Sequence, residues 1–230
     1  MARRPRLFVA NIPYHIVQRG NNKNSIFFKE EDYLFFMDVL DEAKEKYPCL
    51  IYAYCLMVNH FHLLLEPKDK KCISSLMKLV GAKYVYYVNK FYMRTGTLWE
   101  GRFKGCFVDR ESYFLSCLRY IEMNPVRAGI VSSPELYRWS SYRVRAFGEK
   151  SKIVDLDPWY LSLGAVEKTR QLSYRHLFQE AAAERREGLI KEMTAKNGIV
   201  GSAEFKKTID RLTGQEIIFR KPGRPKVEQK

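Results

Sequence analysis

The chain has 230 residues, 46% hydrophobic and 29% charged, with a formal net charge of +14. That length and apolar content suffice for one hydrophobic core with an appended segment, and they exclude a chain disordered throughout. The basic surplus points to a polyanionic partner, nucleic acid before an anionic membrane. It is spread along the sequence: residues 1–150 carry 24 basic against 15 acidic side chains, a net +9, and residues 151–230 carry 16 against 11, a net +5.

Residues 14–22, YHIVQRGNN, read as a short strand ending in a Gly-Asn turn. In EEDYLFFMDVLDEAKEKYP the positions Leu34, Phe35, Val39, Leu40 and Ala43 recur at helical spacing, and Pro48 closes the helix. LIYAYC and HFHLLLEP predict two strands joined tightly at Met57-Val58-Asn59. A second helical pattern covers 73–93 and stops before Thr95-Gly96. GTLWEGRFKGCFV, residues 96–108, is glycine-punctuated and aromatic, which suits a bent strand or hairpin. ESYFLSCLRYIEM, residues 111–123, gives a third helix broken at Asn124-Pro125. Residues 165–214 read as wholly helical, with stops at Asn197-Gly198 and Gly214. From Arg220 the chain is basic, proline-containing and expected to be flexible. This order predicts an α+β fold, an antiparallel sheet with helices on one face. Three segments follow: a domain over 1–150, a C-terminal helical extension over 151–219 and a basic tail over 220–230.

Cys49, Cys55, Cys72, Cys106 and Cys117 are odd in number and contain no Cys-x-x-Cys pair, so cysteine-based zinc and redox motifs are not expected; reduced thiols in a cytosol are. The basic start lacks the apolar core of a signal peptide, and no stretch approaches the roughly 18 apolar residues of a membrane span.

His60 and His62 are two of only four histidines. Alternate strand residues share a face, so both imidazoles project together, and Leu63, Leu64 and Leu65 argue for a buried strand holding them rigidly. They offer two neutral nitrogen ligands to one cation, or are two partly buried histidines with ordinary hydrogen bonds. Glu66 shares the face but is followed by Pro67 and marks the strand end equally well. An incomplete protein shell leaves room for phosphate and water, which suits Mg²⁺ or Mn²⁺ better than structural zinc.

Tyr120 and Asn124 stand at i, i+4, one helix face if the helix is continuous. A phenol can serve as a covalent nucleophile when a metal and basic groups ease its ionisation, and Arg119 and Arg127 are near enough in sequence to bind DNA by neutralising phosphate charge. Tyr120 is also one of 15 tyrosines, most of which pack cores, and Asn124 before Pro125 equally suits a helix cap.

YHIVQRGNN, Asn59-His60-Phe61-His62, LWEGRFKG, YIEMNPVRAG and RWSSYR occur in the order found in REP-associated tyrosine transposases, single-tyrosine members of the HUH endonucleases, and the chain resembles that family over roughly residues 7–148. The resemblance implies a ferredoxin-like or RRM-like core. It implies that His60, His62 and Asn124 bind Mg²⁺ or Mn²⁺ and that Tyr120 is the nucleophile; a glutamine takes the amide position in the wider single-tyrosine group. The implied chemistry is metal-dependent cleavage and strand transfer on single-stranded DNA hairpins of a repetitive palindromic element, through a 5′-phosphotyrosine, without ATP. The implied setting is a bacterial cytoplasm, associated with the nucleoid. The branch acts as monomers in cis, whereas related insertion-sequence transposases exchange tyrosine helices in dimers.

For DNA contacts, Arg19, Asn21, Asn22 and Lys23 near the first strand's end and Arg102 and Lys104 beside Trp99 and Phe103 combine bases, amides and rings as single-strand binders do. Trp99 and Phe103 could equally be core; Trp139 and Tyr142 are expected to pack. KPGRPK, residues 221–226, is similar to a minor-groove-binding core with Arg224 inserted, although Pro222 replaces its usual first arginine. The alternatives from other classes are a catalytically silent hairpin-binding protein, an RNA-binding regulator and, more distantly, a structural zinc protein.

Overall fold

The strand at Tyr14–Arg19, β1, separates two interiors. Tyr14 and Ile16 enter one apolar layer, while His15 points the opposite way and meets the ring of Tyr120. The computed structural model describes residues 6–178 and 184–217, and around β1 it builds a five-stranded sheet. Helix α1 (Glu30–Lys46) follows β1, then the hairpin β2 (Cys49–Met57) and β3 (His60–Pro67), helix α2 (Cys72–Phe91) and β4 (Lys104–Val108). Helix α3 (Phe114–Glu122) leads into a single turn, α4 (Asn124–Arg127). Beyond lie α5 (Tyr142–Phe147), α6 (Pro158–Ser162), α7 (Glu167–Leu177), α8 (Glu184–Lys196), the two-residue β5 (Ile199–Val200) and α9 (Ala203–Thr213). The sheet order is β2-β3-β1-β4-β5.

The α+β class expected from the element order is the one adopted, with two differences of detail. Helices cover both faces of the sheet. Phe36, Leu40 and Ala43 of α1 and Leu76, Val80 and Tyr84 of α2 pack on one face with Ile16, Phe61, Leu63 and Leu65. Cys117, Leu118 and Ile121 of α3 and Ile190 of α8 pack on the other with Cys55, Leu64 and Cys106. The physical reason is that both faces carry buried apolar side chains, Ile16, Leu63 and Leu65 on one and Cys55, Leu64, Cys106 and Val108 on the other, and each needs a helix layer to cover it. The sheet is also mixed: β1 to β4 pair antiparallel, whereas β5 pairs parallel with β4.

That last strand interrupts the stretch 165–214 read as wholly helical. Asn197 takes a left-handed φ of 54° and its side-chain oxygen accepts from Gly105 N–H at 3.2 Å, while Gly198 C=O accepts from Phe107 N–H at 2.9 Å. The open edge of β4 thus draws Ile199 and Val200 into the sheet; pairing that edge outweighs helix continuation. Residues 96–103 form a loop rather than a strand, bent at Gly96 (φ 85°) and Gly101 (φ 143°).

No packing break occurs at residue 150. Ile153 and Val154 belong to the first core, Asp155 accepts from Ile51 N–H at 2.8 Å, and Tyr160, Tyr174 and Val200 belong to the second. Residues 151–217 thereby complete the same body. The basic tail lies outside the described residues. Among the described residues, no helix is long and apolar enough to cross a membrane, and the five cysteines are buried without disulfides.

A buried ionic knot joins α3 to this C-terminal part. Arg145, wholly buried, meets Asp157 at 2.9 Å and Glu122 at 3.9 Å. Glu122 accepts from Ser141 Oγ and Tyr174 OH, both at 2.6 Å, and its burial pushes its carboxyl up to about 7. Arg145→Ala is expected to lower unfolding free energy by about 3–5 kcal/mol, because it strands buried acids without their cation. The measurement is a fall in urea midpoint at unchanged slope; a midpoint as in the parent would show that the knot contributes nothing.

Candidate active site

Strand β3 lies between β2 and β1, and its alternation turns His60 and His62 toward the second face. Their ring centroids are 5.0 Å apart at 74°. His62 is 3% exposed and His60 sits at the strand's open end. Helix α3 crosses above, placing Tyr120 edge-on to His62 at 5.8 Å and to His15 at 5.6 Å between centroids.

The helix ends at Glu122 and restarts at Asn124, so the continuous helix that the i, i+4 reading assumed is absent; the juxtaposition survives. Asn124 Nδ2 donates to the Tyr120 carbonyl at 2.8 Å and to that of Ile121 at 3.3 Å, satisfying the end of α3 and leaving the amide oxygen uncommitted to either. Arg127 folds back from α4. Its guanidinium carbon lies 4.3 Å from the Tyr120 ring centre, it donates to the Tyr120 carbonyl, and it pairs with Glu187 of α8 at 2.6 Å.

His60, His62, Tyr120 and Asn124 line one open cleft of about 930 Å³. Arg19, Arg102, Lys104 and Arg127 line it too, as do Glu187, Lys191 and Thr194 of α8. Burial, aided by Arg19, lowers the His60 imidazole to about 4; burial and nearby positive groups hold His62 well below its ordinary range. Burial and then Arg127 bring His15 down to about 3. All three rings are therefore neutral, each with one lone-pair nitrogen. The Tyr120 phenol is pushed up to about 12 by burial, against which Arg127 acts, so it is protonated at neutral pH.

The donor chemistry fits a divalent cation. His62 Nε2 is buried without a hydrogen-bond partner among the described residues, and such an atom is costly unless something accepts its lone pair. His60 Nδ1 meets Asn59 Oδ1 at 2.6 Å, and Asn59 Nδ2 donates to the Lys23 carbonyl at 3.0 Å. That bond orients the Asn59 amide, which places a hydrogen on His60 Nδ1 and leaves Nε2 as its lone-pair nitrogen. Among the described residues no three His, Cys, Asp or Glu side chains gather into a metal cluster. The donors this cleft does offer include two histidines and one amide, His60, His62 and Asn124.

The other sequence candidates divide. Asn21, Asn22 and Lys23 form a 3-10 turn outside the cleft lining; Asn22 and Lys23 have left-handed φ of 52° and 59°. Of the three, Lys23 supports Asn59, through its carbonyl oxygen. Arg119 is also outside the lining and lies 3.9 Å from Glu187. Arg224 lies outside the described residues. Glu66 is committed to Tyr52 OH at 3.0 Å and to Arg110. Phe103 stacks on Phe8 and is core, whereas Trp99 is half-buried, packed against that core near Phe61 and Tyr84. Trp139 stacks on Tyr33 and Tyr142 packs in the second core.

Sequence reasoning missed His15, Asn59, Glu187 and Thr194 as parts of the site. His15 has the strand parity that puts it on the histidine face, but its neighbour is visible only once β1 is paired with β3. Glu187, Lys191 and Thr194 are spaced i, i+4, i+7, one helix face without a recognisable motif.

A family model described as IS200-like transposase matches residues 8–124, slightly more than half of the chain. No curated protein matches the sequence. The structure of a REP-associated tyrosine transposase bound to a REP hairpin aligns with a TM-score of 0.56 at 17% identity, covering 68% of this chain and 93% of that one; the two share a fold. A transposase candidate from Deinococcus radiodurans R1 aligns with a TM-score of 0.37 at 16% identity, covering 56% of this chain and 92% of that one.

Proposed function

Because the chain belongs to the IS200-like transposase family, we propose that it cuts and rejoins single-stranded DNA hairpins through a covalent bond to Tyr120. The observation that carries this reading is the meeting of Tyr120, His60, His62 and Asn124 in one cleft rimmed by Arg19, Arg102, Lys104 and Arg127. The hairpin is taken as substrate because the solved relative of like fold holds one.

In the proposed reaction the Tyr120 oxygen forms a bond to the scissile phosphorus and the bond from phosphorus to the 3′ oxygen breaks. The phenolic proton is lost to solvent and the departing 3′ oxygen takes one up, so charge and protons balance. Attack by another 3′ hydroxyl reverses the step and seals a new junction; the energy stays in the phosphotyrosine, and no nucleotide is consumed. His60, His62 and Asn124 would hold Mg²⁺ or Mn²⁺. Such a cation, when bound, polarises the phosphoryl oxygens and eases ionisation of the phenol. Arg127, stacked on the Tyr120 ring, supplies positive charge beside the nucleophile. Arg102, Lys104 and Arg19 neutralise backbone phosphates on the way in. The proposed working form is a monomer acting in cis.

The test is a denaturing gel of labelled single-stranded hairpins from DNA flanking the gene, incubated with protein and Mn²⁺ or Mg²⁺. The expected result is a metal-dependent band carrying the 27.1 kDa protein. Tight hairpin binding with no adduct in either metal would turn the reading into that of a silent binding module. Preference for an RNA version of the hairpin would turn it into an RNA regulator.

Glu187 sets a further expectation. Its carboxylate pairs with Arg127 on the cleft wall, where a DNA phosphate would meet like charge. Glu187→Gln is expected to tighten hairpin binding about 3–10-fold at low salt, with the gain shrinking as salt rises. Fluorescence anisotropy across a salt series measures it, and unchanged affinity at low salt would count against a phosphate at that wall.

A further inference from the structure

Three hydrogen bonds run from α8 to the face of β3. Thr194 Oγ1 lies 2.7 Å from the Ile190 carbonyl oxygen, His15 Nδ1 lies 2.8 Å from Thr194 Oγ1, and His15 Nε2 lies 3.0 Å from His62 Nδ1. The first contact determines the direction of the rest. A carbonyl oxygen cannot donate, so the Thr194 hydroxyl hydrogen lies toward Ile190. Thr194 Oγ1 can then only accept, and it does so from His15 Nδ1, with the Cys106 thiol a second neighbour at 3.3 Å. A hydrogen on Nδ1 of a neutral His15 leaves Nε2 as an acceptor. His62 must therefore carry its hydrogen on Nδ1, and the lone pair falls on Nε2, the buried atom without a partner among the described residues.

We infer that Thr194 and His15 form a directed hydrogen-bond chain that holds the His62 ring in one tautomer and one orientation, with its Nε2 lone pair available to a cation in the cleft. Thr194 and His15 are positioning residues, acting through His62. The inference deepens the proposed function and rests on reading His60 and His62 as metal-holding residues. It also gives the C-terminal helices a role: Thr194 lies beyond residues 8–124, so the segment outside the family match supports the histidine inside it. The two rings lie 2° from parallel with centroids 5.2 Å apart, coplanar and end to end as the Nε2–Nδ1 hydrogen bond requires, and that alignment resists rotation of His62.

Two measurements on the full chain test it. The first is long-range ¹H–¹⁵N NMR of metal-free, ¹⁵N-histidine-labelled protein, in which only four histidines need assignment. The expected result is a hydrogen on Nδ1 of both His15 and His62; a hydrogen on Nε2 of either overturns the inference. This arm requires no metal, DNA or turnover, so it stands apart from the proposed function: the expected tautomers without Mn²⁺ binding in the parent would sink the metal reading alone. The second is Mn²⁺ affinity, by electron paramagnetic resonance, of Thr194→Val and Thr194→Ser. Valine keeps the shape without the hydroxyl and is expected to weaken Mn²⁺ binding about tenfold or more, whereas serine, which restores the bond, is expected to stay within about twofold of the parent. Valine binding Mn²⁺ as tightly as the parent overturns the positioning role. A loss shared by serine would assign it to packing and overturn the role equally.

Discussion

Tyr120→Phe is expected to abolish the covalent protein–DNA adduct while leaving hairpin affinity within about twofold. The substitution removes one oxygen and little else. The aromatic ring keeps its edge-on contacts with His15 and His62, and Arg127 still stacks above it. The bonds that Asn124 and Arg127 make here go to the backbone carbonyl of residue 120, which the substitution retains. Fold and cleft should therefore persist, and only the atom that would bond to phosphorus is lost. Removing a covalent nucleophile costs about four orders of magnitude or more in rate, so no adduct band should remain on a denaturing gel. A persistent adduct would transfer the role to another of the 15 tyrosines.

His60→Ala and His62→Ala are each expected to lower metal-dependent adduct formation about 10³-fold, the rate equivalent of several kcal/mol of lost charge stabilisation. Mn²⁺ affinity should fall in step, whereas hairpin binding in the absence of metal should change little, because neutral rings contribute no counterion release. The two variants differ in stability. His62 is buried and bonded to His15, so its loss opens a cavity and leaves His15 Nε2 without its donor. His60, at the strand's open end, should cost less. Parallel denaturation curves separate the two effects. Normal adduct formation in a folded His60→Ala variant would remove that residue from the site.

Local order along the chain carried a good deal of this. Alternation in HFHLLLEP determined that His60 and His62 share a face, because pleat geometry has period two whatever the strand's neighbours. The helical spacing of Leu34 to Ala43 located α1, and the four-residue step from Tyr120 to Asn124 kept the two side by side even across the break at Met123. The sum of charges pointed to a polyanion before any contact was known. Shared motifs supplied the remaining roles, by likeness to a family.

What only the tertiary structure decided depends on pairing between distant segments. Alternation gives parity but no partner: His15 lies beside His62 because β1 pairs antiparallel with β3 in one register, and a slip of one residue would turn it to the opposite face. The strand at Ile199–Val200 exists because β4 offers an open edge, a condition invisible within a two-residue apolar stretch. Glu187 and Thr194 join the cleft because α8 packs across β4 and α3, a docking set by buried apolar area such as Ile190 rather than by any local signal in α8 itself. Sequence by itself therefore determined which residues could perform the chemistry, while long-range packing decided which of their neighbours hold them in place.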